Sequence, residues 1–168
     1  MFCKTLALLG MLMLGGCAGQ NVSTDQPSFY VSMASSDAKL DAESAASMIS
    51  EYRRNNGLGS VTIDPQLMKM AETQSQAMAS RNKLDHNVAG PFDKRLKASG
   101  FDASKGVENI SAGYHTMAEA FSGWRDSPPH RANMLATDVT KMGISSVYVP
   151  NSKYKVFWTL VLAEPSAR

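Results

Sequence analysis

Apolar residues recur every three or four positions between residues 41 and 126, which is the spacing of helices with one buried face. The stripes and their flanking residues predict four helices: from Asp41 to the turn at 55–59, from Pro65 to about Asn82, from Phe92 to Ala98, and from Thr116 to the prolines at 128 and 129. Asp64 is a favoured cap for the second helix, and Pro65 suits its first position. A further helical turn is expected to begin near His130.

The pattern changes period in the C-terminal part of the chain. Residues 142–149 and 155–163 are rich in β-branched and aromatic residues, and the polar stretch 150–153 between them predicts a hairpin turn. The second run is apolar on both faces over residues 156–162, as in a central strand that is covered on both sides. Helices followed by such strands predict an α+β fold, a three-layer α/β/α sandwich around a mainly antiparallel sheet.

The N-terminus is typical of a secretory signal. Lys4 is followed by an apolar run over residues 6–14 and by two glycines before Cys17. The run is too short to span a membrane, which takes roughly 20 apolar residues. Residues 14–17, Leu-Gly-Gly-Cys, resemble a bacterial lipobox. This resemblance implies cleavage after residue 16 and a membrane anchor of acyl chains, such as palmitate, on Cys17. In a Gram-negative host, Ala18 resembles an outer-membrane address. The alternative is an ordinary signal in which Cys17 is incidental.

Composition then divides the rest of the chain. Residues 17–37 are polar and are predicted to be a lipidated N-terminus and flexible linker, and residues 38–168 are predicted to be one domain. Cys3 leaves with the signal and Cys17 carries lipid, so no disulfide is expected in the domain. Without Lys4 the chain has 17 − 1 = 16 basic against 15 acidic residues, and this near-neutral balance argues against a nucleic-acid partner.

Three motifs carry the candidate chemistry. His86 lies in Asp-His-Asn, Glu108 begins Glu-Asn-Ile, and His130 lies within Trp-Arg-Asp-Ser-Pro-Pro-His-Arg-Ala-Asn-Met-Leu at 124–135. In this order and over residues 40–164, they resemble the CAP superfamily of cysteine-rich secretory, antigen-five and pathogenesis-related proteins, in its small bacterial branch. The resemblance implies a cleft lined by two histidines and two acidic residues. By position these are His86, His130 and Glu108, with His115 a possible residue of the rim.

The fourth cleft residue departs from the family pattern. The second acid usually lies three residues after the tryptophan, and this chain has Ser127 there. Asp126 and Glu119 are candidate replacements, although Glu119 is better interpreted as half of a capping box with Thr116. Ser127 itself is expected to cap the end of the fourth helix or the turn at the prolines.

Two imidazoles and one carboxylate can hold zinc, with His86, His130 and Glu108 as the possible ligands. No His-Glu-x-x-His pair places such ligands on one helix, so the triad could instead be a hydrogen-bonded polar cluster. No nucleophile is evident, because neither Ser111 nor Ser127 lies in a Gly-x-Ser-x-Gly elbow.

These features favour an envelope lipoprotein whose cleft binds a lipid, a small molecule, a cell-wall fragment or a protein. The alternative is a metal-assisted hydrolase of peptide or ester bonds, with Glu108 as the general base. A third hypothesis is a lipoprotein that only docks to other envelope proteins.

Overall fold

The computed structural model describes residues 26–167, and its elements lie close to the predicted positions. A 3-10 turn, Ser28–Tyr30, comes before the first α-helix. The elements that follow are α1 Ala42–Arg54, β1 Thr62–Ile63, α2 Pro65–Arg81, α3 Phe92–Ala98, β2 Ala103–Ala112, α4 Met117–Asp126, α5 Pro128–Met134, β3 Lys141–Tyr148 and β4 Val156–Pro165.

Local capping explains the limits of the long helix α2. The Asp64 carboxylate accepts hydrogen bonds from the backbone N–H groups of Gln66 and Leu67, at 2.9 and 3.1 Å. These are two of the donors that the start of a helix otherwise leaves without a partner. At the other end Asn82 has a φ of 47°, the left-handed conformation that closes many helices.

The four strands form one mixed sheet in the order β1-β3-β4-β2. β1 runs parallel to β3, and the other neighbouring strands are antiparallel. The central strand β4 is buried on both faces: Trp158 and Leu160 share a core with α1 and α4, whereas Phe157 and Val161 contact α2. Helices on both faces of the sheet confirm the predicted α+β sandwich.

A fully buried arginine fastens α1 to the chain that follows α5. Arg53 donates to the carbonyl oxygens of Gly59, Met134, Ala136 and Val139, at 2.8–3.0 Å. Burial lowers the pKa of Arg53, and within residues 26–167 no carboxylate forms an ion pair with it. Because α5 carries His130, this cluster also sets the position of one candidate site residue.

The predicted linker is structured over residues 26–37. Met33 is only 4% exposed, and its backbone N–H donates to the His115 carbonyl at 2.6 Å. Phe29 and Ala34 pack against the same core. The packed domain therefore begins near Ser28 and not at residue 38, because these few apolar side chains complete a core made by distant elements.

The predicted signal peptide, Cys3, Cys17 and Ala18 lie outside the described residues. Among residues 26–167, no helix has the length and apolar character needed to cross a membrane.

Candidate functional site

The structure brings His86 and Glu108 together. His86 lies in the loop between α2 and α3, and Glu108 lies on β2 with its side chain only 3% exposed. The His86 Nδ1 is 2.8 Å from Glu108 Oε1. An ionised carboxylate only accepts hydrogen bonds, so Nδ1 carries a proton and donates it to this bond. The His86 side chain is 50% exposed, and its Nε2 is therefore the ring atom left for a ligand.

Arg95, on α3, completes this pair and was missed by the sequence interpretation. Its Nη1 donates to Glu108 Oε2 at 2.8 Å and its Nη2 to Glu108 Oε1 at 2.9 Å, a bidentate ion pair in which Arg95 is 6% exposed. The same guanidinium donates to the carbonyls of Gly90 and His86, at 2.9 and 3.0 Å. The one sequence signal was the position of Arg95 beside Leu96 on the otherwise apolar stripe of a short helix.

The loop that carries His86 is also held from α2. The fully buried Gln74 donates through Nε2 to the Asp85 carbonyl at 2.9 Å and to the His86 carbonyl at 3.3 Å. Arg81 donates to the Val88 carbonyl at 2.6 Å. With Arg95, these side chains replace the backbone partners that a loop lacks, so the imidazole is presented on a fixed support.

His130 reaches the site on α5, which packs beside β2. Asn109 donates through Nδ2 to the His130 carbonyl at 2.9 Å, and Asn133 donates to the Glu108 carbonyl at 3.0 Å and to Asn109 Oδ1 at 2.9 Å. These bonds give Asn133 a structural role between α5 and β2. Partial burial, and the positive charge that His86 can carry, lower the pKa of His130, which favours its neutral imidazole.

The other predicted candidates are engaged elsewhere. The capping box of Thr116 and Glu119 is present, at 3.2 and 3.0 Å, which confirms the interpretation of Glu119 as a cap. Asp126 pairs with Arg125 at 2.9 Å on the surface, where this bond lowers the pKa of Asp126. Ser127 is the boundary residue between α4 and α5, so it lies at the helix end as predicted, and its side chain makes no capping hydrogen bond to the start of α5.

His115 has a backbone role in the structure. Its N–H donates to Glu119 Oε2 at 2.6 Å and its carbonyl accepts from Met33, while its exposed side chain bonds to no residue within 26–167. The structure does not link its imidazole to His86 or His130, so its place at the rim of the cleft stays a prediction.

The donor set does not fit the predicted zinc site. In the part of the chain that the structure describes, no three His, Cys, Asp or Glu side chains are grouped closely enough to hold a metal ion. Both Glu108 oxygens accept from Arg95, and the carboxylate is 3% exposed in this ion pair, so a cation would have to compete with the guanidinium for it. As a general base, Glu108 would have to take up a proton inside the same buried ion pair. The one hydrogen bond of the His86 ring within residues 26–167 is that to Glu108.

Comparison with known proteins gives one family. The model of the cysteine-rich secretory protein family, CAP, matches residues 46–162. An uncharacterised Bacillus subtilis protein, YkwD, is 30% identical over 142 residues, which cover 76% of this chain and 55% of YkwD. The chain thus spans about half the length of this relative.

Solved structures share the fold. An extracellular protein of Bacillus anthracis that contains an SCP domain superposes with a TM-score of 0.64 at 23% identity, over 73% of this chain and 39% of that one. An outer surface protein of Borrelia burgdorferi superposes with a TM-score of 0.66 at 19% identity, over 77% of this chain and 96% of that one.

Proposed function

Because this chain belongs to the CAP family of cysteine-rich secretory proteins, we propose that it is a ligand-binding module of the cell envelope whose ligand contacts His86 and His130. The geometry of His86 carries the proposal. Its Nδ1 is tied to a buried carboxylate while half of its side chain is exposed, so that Nε2 is offered to solvent beside a second imidazole.

The hydrogen-bonding atoms of the two rings indicate the class of ligand. With Nδ1 donating to Glu108, the imidazole form of His86 offers Nε2 as an acceptor, and the imidazole form of His130 accepts in the same way. Such a pair favours ligands that donate hydrogen bonds through hydroxyl or amide groups. Glycan and peptide fragments of the cell wall carry both groups, whereas the acyl chain of a lipid carries neither.

The proposed location is the cell envelope, with the domain tethered through lipid on Cys17. Two observations support it. The N-terminal residues resemble a secretory signal that ends in a lipobox, and two proteins of the same fold are described as extracellular and as an outer surface protein. The tether would place the cleft near a membrane, and an outer membrane in a Gram-negative host.

The alternative hydrolase is less well supported by the geometry. Glu108 is enclosed by three hydrogen bonds from Arg95 and His86, and no hydroxyl group within residues 26–167 bonds to the His86 ring to serve as a nucleophile. A reaction at this site would need a base other than Glu108.

The test is titration calorimetry of the full chain in detergent with a soluble muropeptide, the N-acetylglucosaminyl-N-acetylmuramyl tetrapeptide. His86→Ala and His130→Ala are each expected to weaken binding roughly tenfold, the effect of one lost hydrogen bond to an exposed polar ligand. Arg54→Ala, an exposed residue at the end of α1, is the control and should leave the affinity unchanged.

Equal affinity in wild type and both cleft variants, or no binding at all, would reject the proposal. Release of cleaved muropeptide, followed by mass spectrometry in the same samples, would favour the hydrolase instead.

A further inference from the structure

The outer edge of β3 is only partly covered. β1 pairs with Lys141 and Met142 alone, and the Met142 carbonyl accepts from the Asp64 N–H at 2.9 Å. In an antiparallel pair, alternate residues direct both backbone groups away from the partner strand. The backbone N–H and C=O groups of Met142 point away from β4, so those of Ile144, Ser146 and Tyr148 do so too.

Further along this edge, the outward backbone groups lack backbone partners. The Ile144 N–H donates to the Met68 sulfur at 3.2 Å, a weak acceptor. No residue within 26–167 bonds to the outward groups of Ser146 or Tyr148. The edge is also unprotected, because residues 142–148 contain neither a charge nor a proline, the usual means of blocking a strand edge.

Two adjoining cavities lie along this edge. One, of about 610 Å³, is lined by Ile63, Met68 and Ile144 among others, and the other, of about 760 Å³, lies between residues 33–38 and Tyr148. Both are lined by Ser146 and Val147, so the free edge opens on a continuous groove. No described backbone from the segment 34–40 pairs with β3 across it.

We propose that this edge, from Ile144 to Tyr148, binds an extended peptide segment of a partner protein as an added strand. A row of outward N–H and C=O groups is matched by another backbone in extended conformation, which supplies the same groups in the same spacing. The site continues the line of β1, which already pairs with this edge by the same bonds. The groove is lined mainly by apolar and uncharged polar residues, and its charged side chains, Lys69 and Glu72, pair with each other at 2.8 Å, which favours a segment with uncharged side chains.

The edge of β3 is separate from the histidine cleft, and its peptide binding is tested with different probes. The full chain in detergent is panned against a phage library of random heptapeptides, and one selected peptide is synthesised. Deuterium exchange should then show the amides of Ser146 and Tyr148 exchanging rapidly in the free protein and slowed when the peptide is bound.

Two variants report on the backbone bonds. Ser146→Pro removes one outward N–H at a position where an edge strand tolerates proline, and should weaken binding roughly tenfold, while Ser146→Ala keeps the N–H and should not. In the peptide, N-methylation at alternate residues should abolish binding in one register and spare it in the other. The N-methylated peptides test the backbone bonds even if Ser146→Pro fails to fold.

Failure to select any peptide, equal binding to both Ser146 variants when both fold, or N-methylation effects without alternation would each overturn the proposal. If the full chain instead self-associates through this edge in sedimentation experiments, and Ser146→Pro abolishes that association, the occupant is a second copy and not a partner peptide.

Discussion

Two buried arginines lie in different regions of the domain and differ in their partners. Arg53 donates to four backbone carbonyls and pairs with no carboxylate in the described chain, whereas Arg95 pairs through two bonds with Glu108 and adds two carbonyls. Both replace water around a guanidinium with fixed oxygen atoms. Arg53 holds chain segments together, and Arg95 also orients His86 through Glu108.

The difference has a physical consequence for the site. Backbone carbonyls cannot be removed by substitution, so the Arg53 cluster depends on one side chain only. The Arg95 cluster depends on two side chains, those of Arg95 and Glu108, and the Glu108 carboxylate also accepts a hydrogen bond from His86. A change at Arg95 or Glu108 should therefore alter both the stability of the domain and the presentation of the imidazole.

The largest effect is expected for Arg53→Ala, which leaves four carbonyls without their donor. Each buried polar group left unpaired costs about 1–3 kcal/mol, and water can recover part of that. The free energy of unfolding should fall by about 5 kcal/mol, measured by urea denaturation. Arg54→Ala is the matched control: its side chain is 52% exposed beside Glu51, and its effect should stay within about 0.5 kcal/mol. Equal losses in both variants would contradict the interpretation of Arg53.

A somewhat smaller loss is expected for Glu108→Ala, which leaves the Arg95 guanidinium buried without its carboxylate. Breaking one side of a buried ion pair typically costs about 3–5 kcal/mol. Glu72→Ala provides the comparison, because Glu72 forms an exposed ion pair with Lys69 at 2.8 Å. Replacing both Arg95 and Glu108 by Met should recover part of the loss in urea denaturation. A double variant less stable than Glu108→Ala would show that the charge is not the cause.

His130 should make the stability of the domain depend on pH. Its pKa is lowered in the folded state, so the unfolded chain takes up a proton first as the pH falls. The stabilising contribution of His130 is fully present above the ordinary histidine pKa of about 6.5. It is lost as the pH falls below that pKa toward the lower pKa of the folded state. Between pH 7 and 5, His130→Gln should therefore lose less stability than the wild type in thermal denaturation. His115→Gln serves as the control, and a slope identical to that of His130→Gln would reject this role.

The smallest effect on stability is expected for His86→Ala. The ring is half exposed, so its loss removes one hydrogen bond to Glu108 and should lower the free energy of unfolding by about 1 kcal/mol. Ligand binding should nevertheless weaken roughly tenfold, as proposed above. A large loss of stability in urea denaturation would place His86 with the Arg95 cluster as a structural residue.

The residues of the candidate site were only partly predictable. His86, Glu108 and His130 were identified from their motifs; the structure bonds the first two, and the His130 carbonyl accepts from Asn109, the residue after Glu108. Arg95 was missed because an arginine on a short helix is normally exposed, and its partner is 13 residues away on a strand. The metal and general-base roles of Glu108 depended on free oxygens, and only the packed structure shows that Arg95 uses both.

The helices and the central strand follow from the sequence, because caps, prolines, glycines and apolar period act over a few neighbouring residues. Asp64 with Pro65, the Thr116–Glu119 capping box and the doubly apolar run of β4 are signals of this kind. The burial of Met33, the pairing of Arg95 with Glu108 and the edge of β3 that no strand within residues 26–167 covers beyond β1 follow only from the tertiary structure. Each of these depends on residues far apart in the chain, whose contacts exist only once the layers have packed.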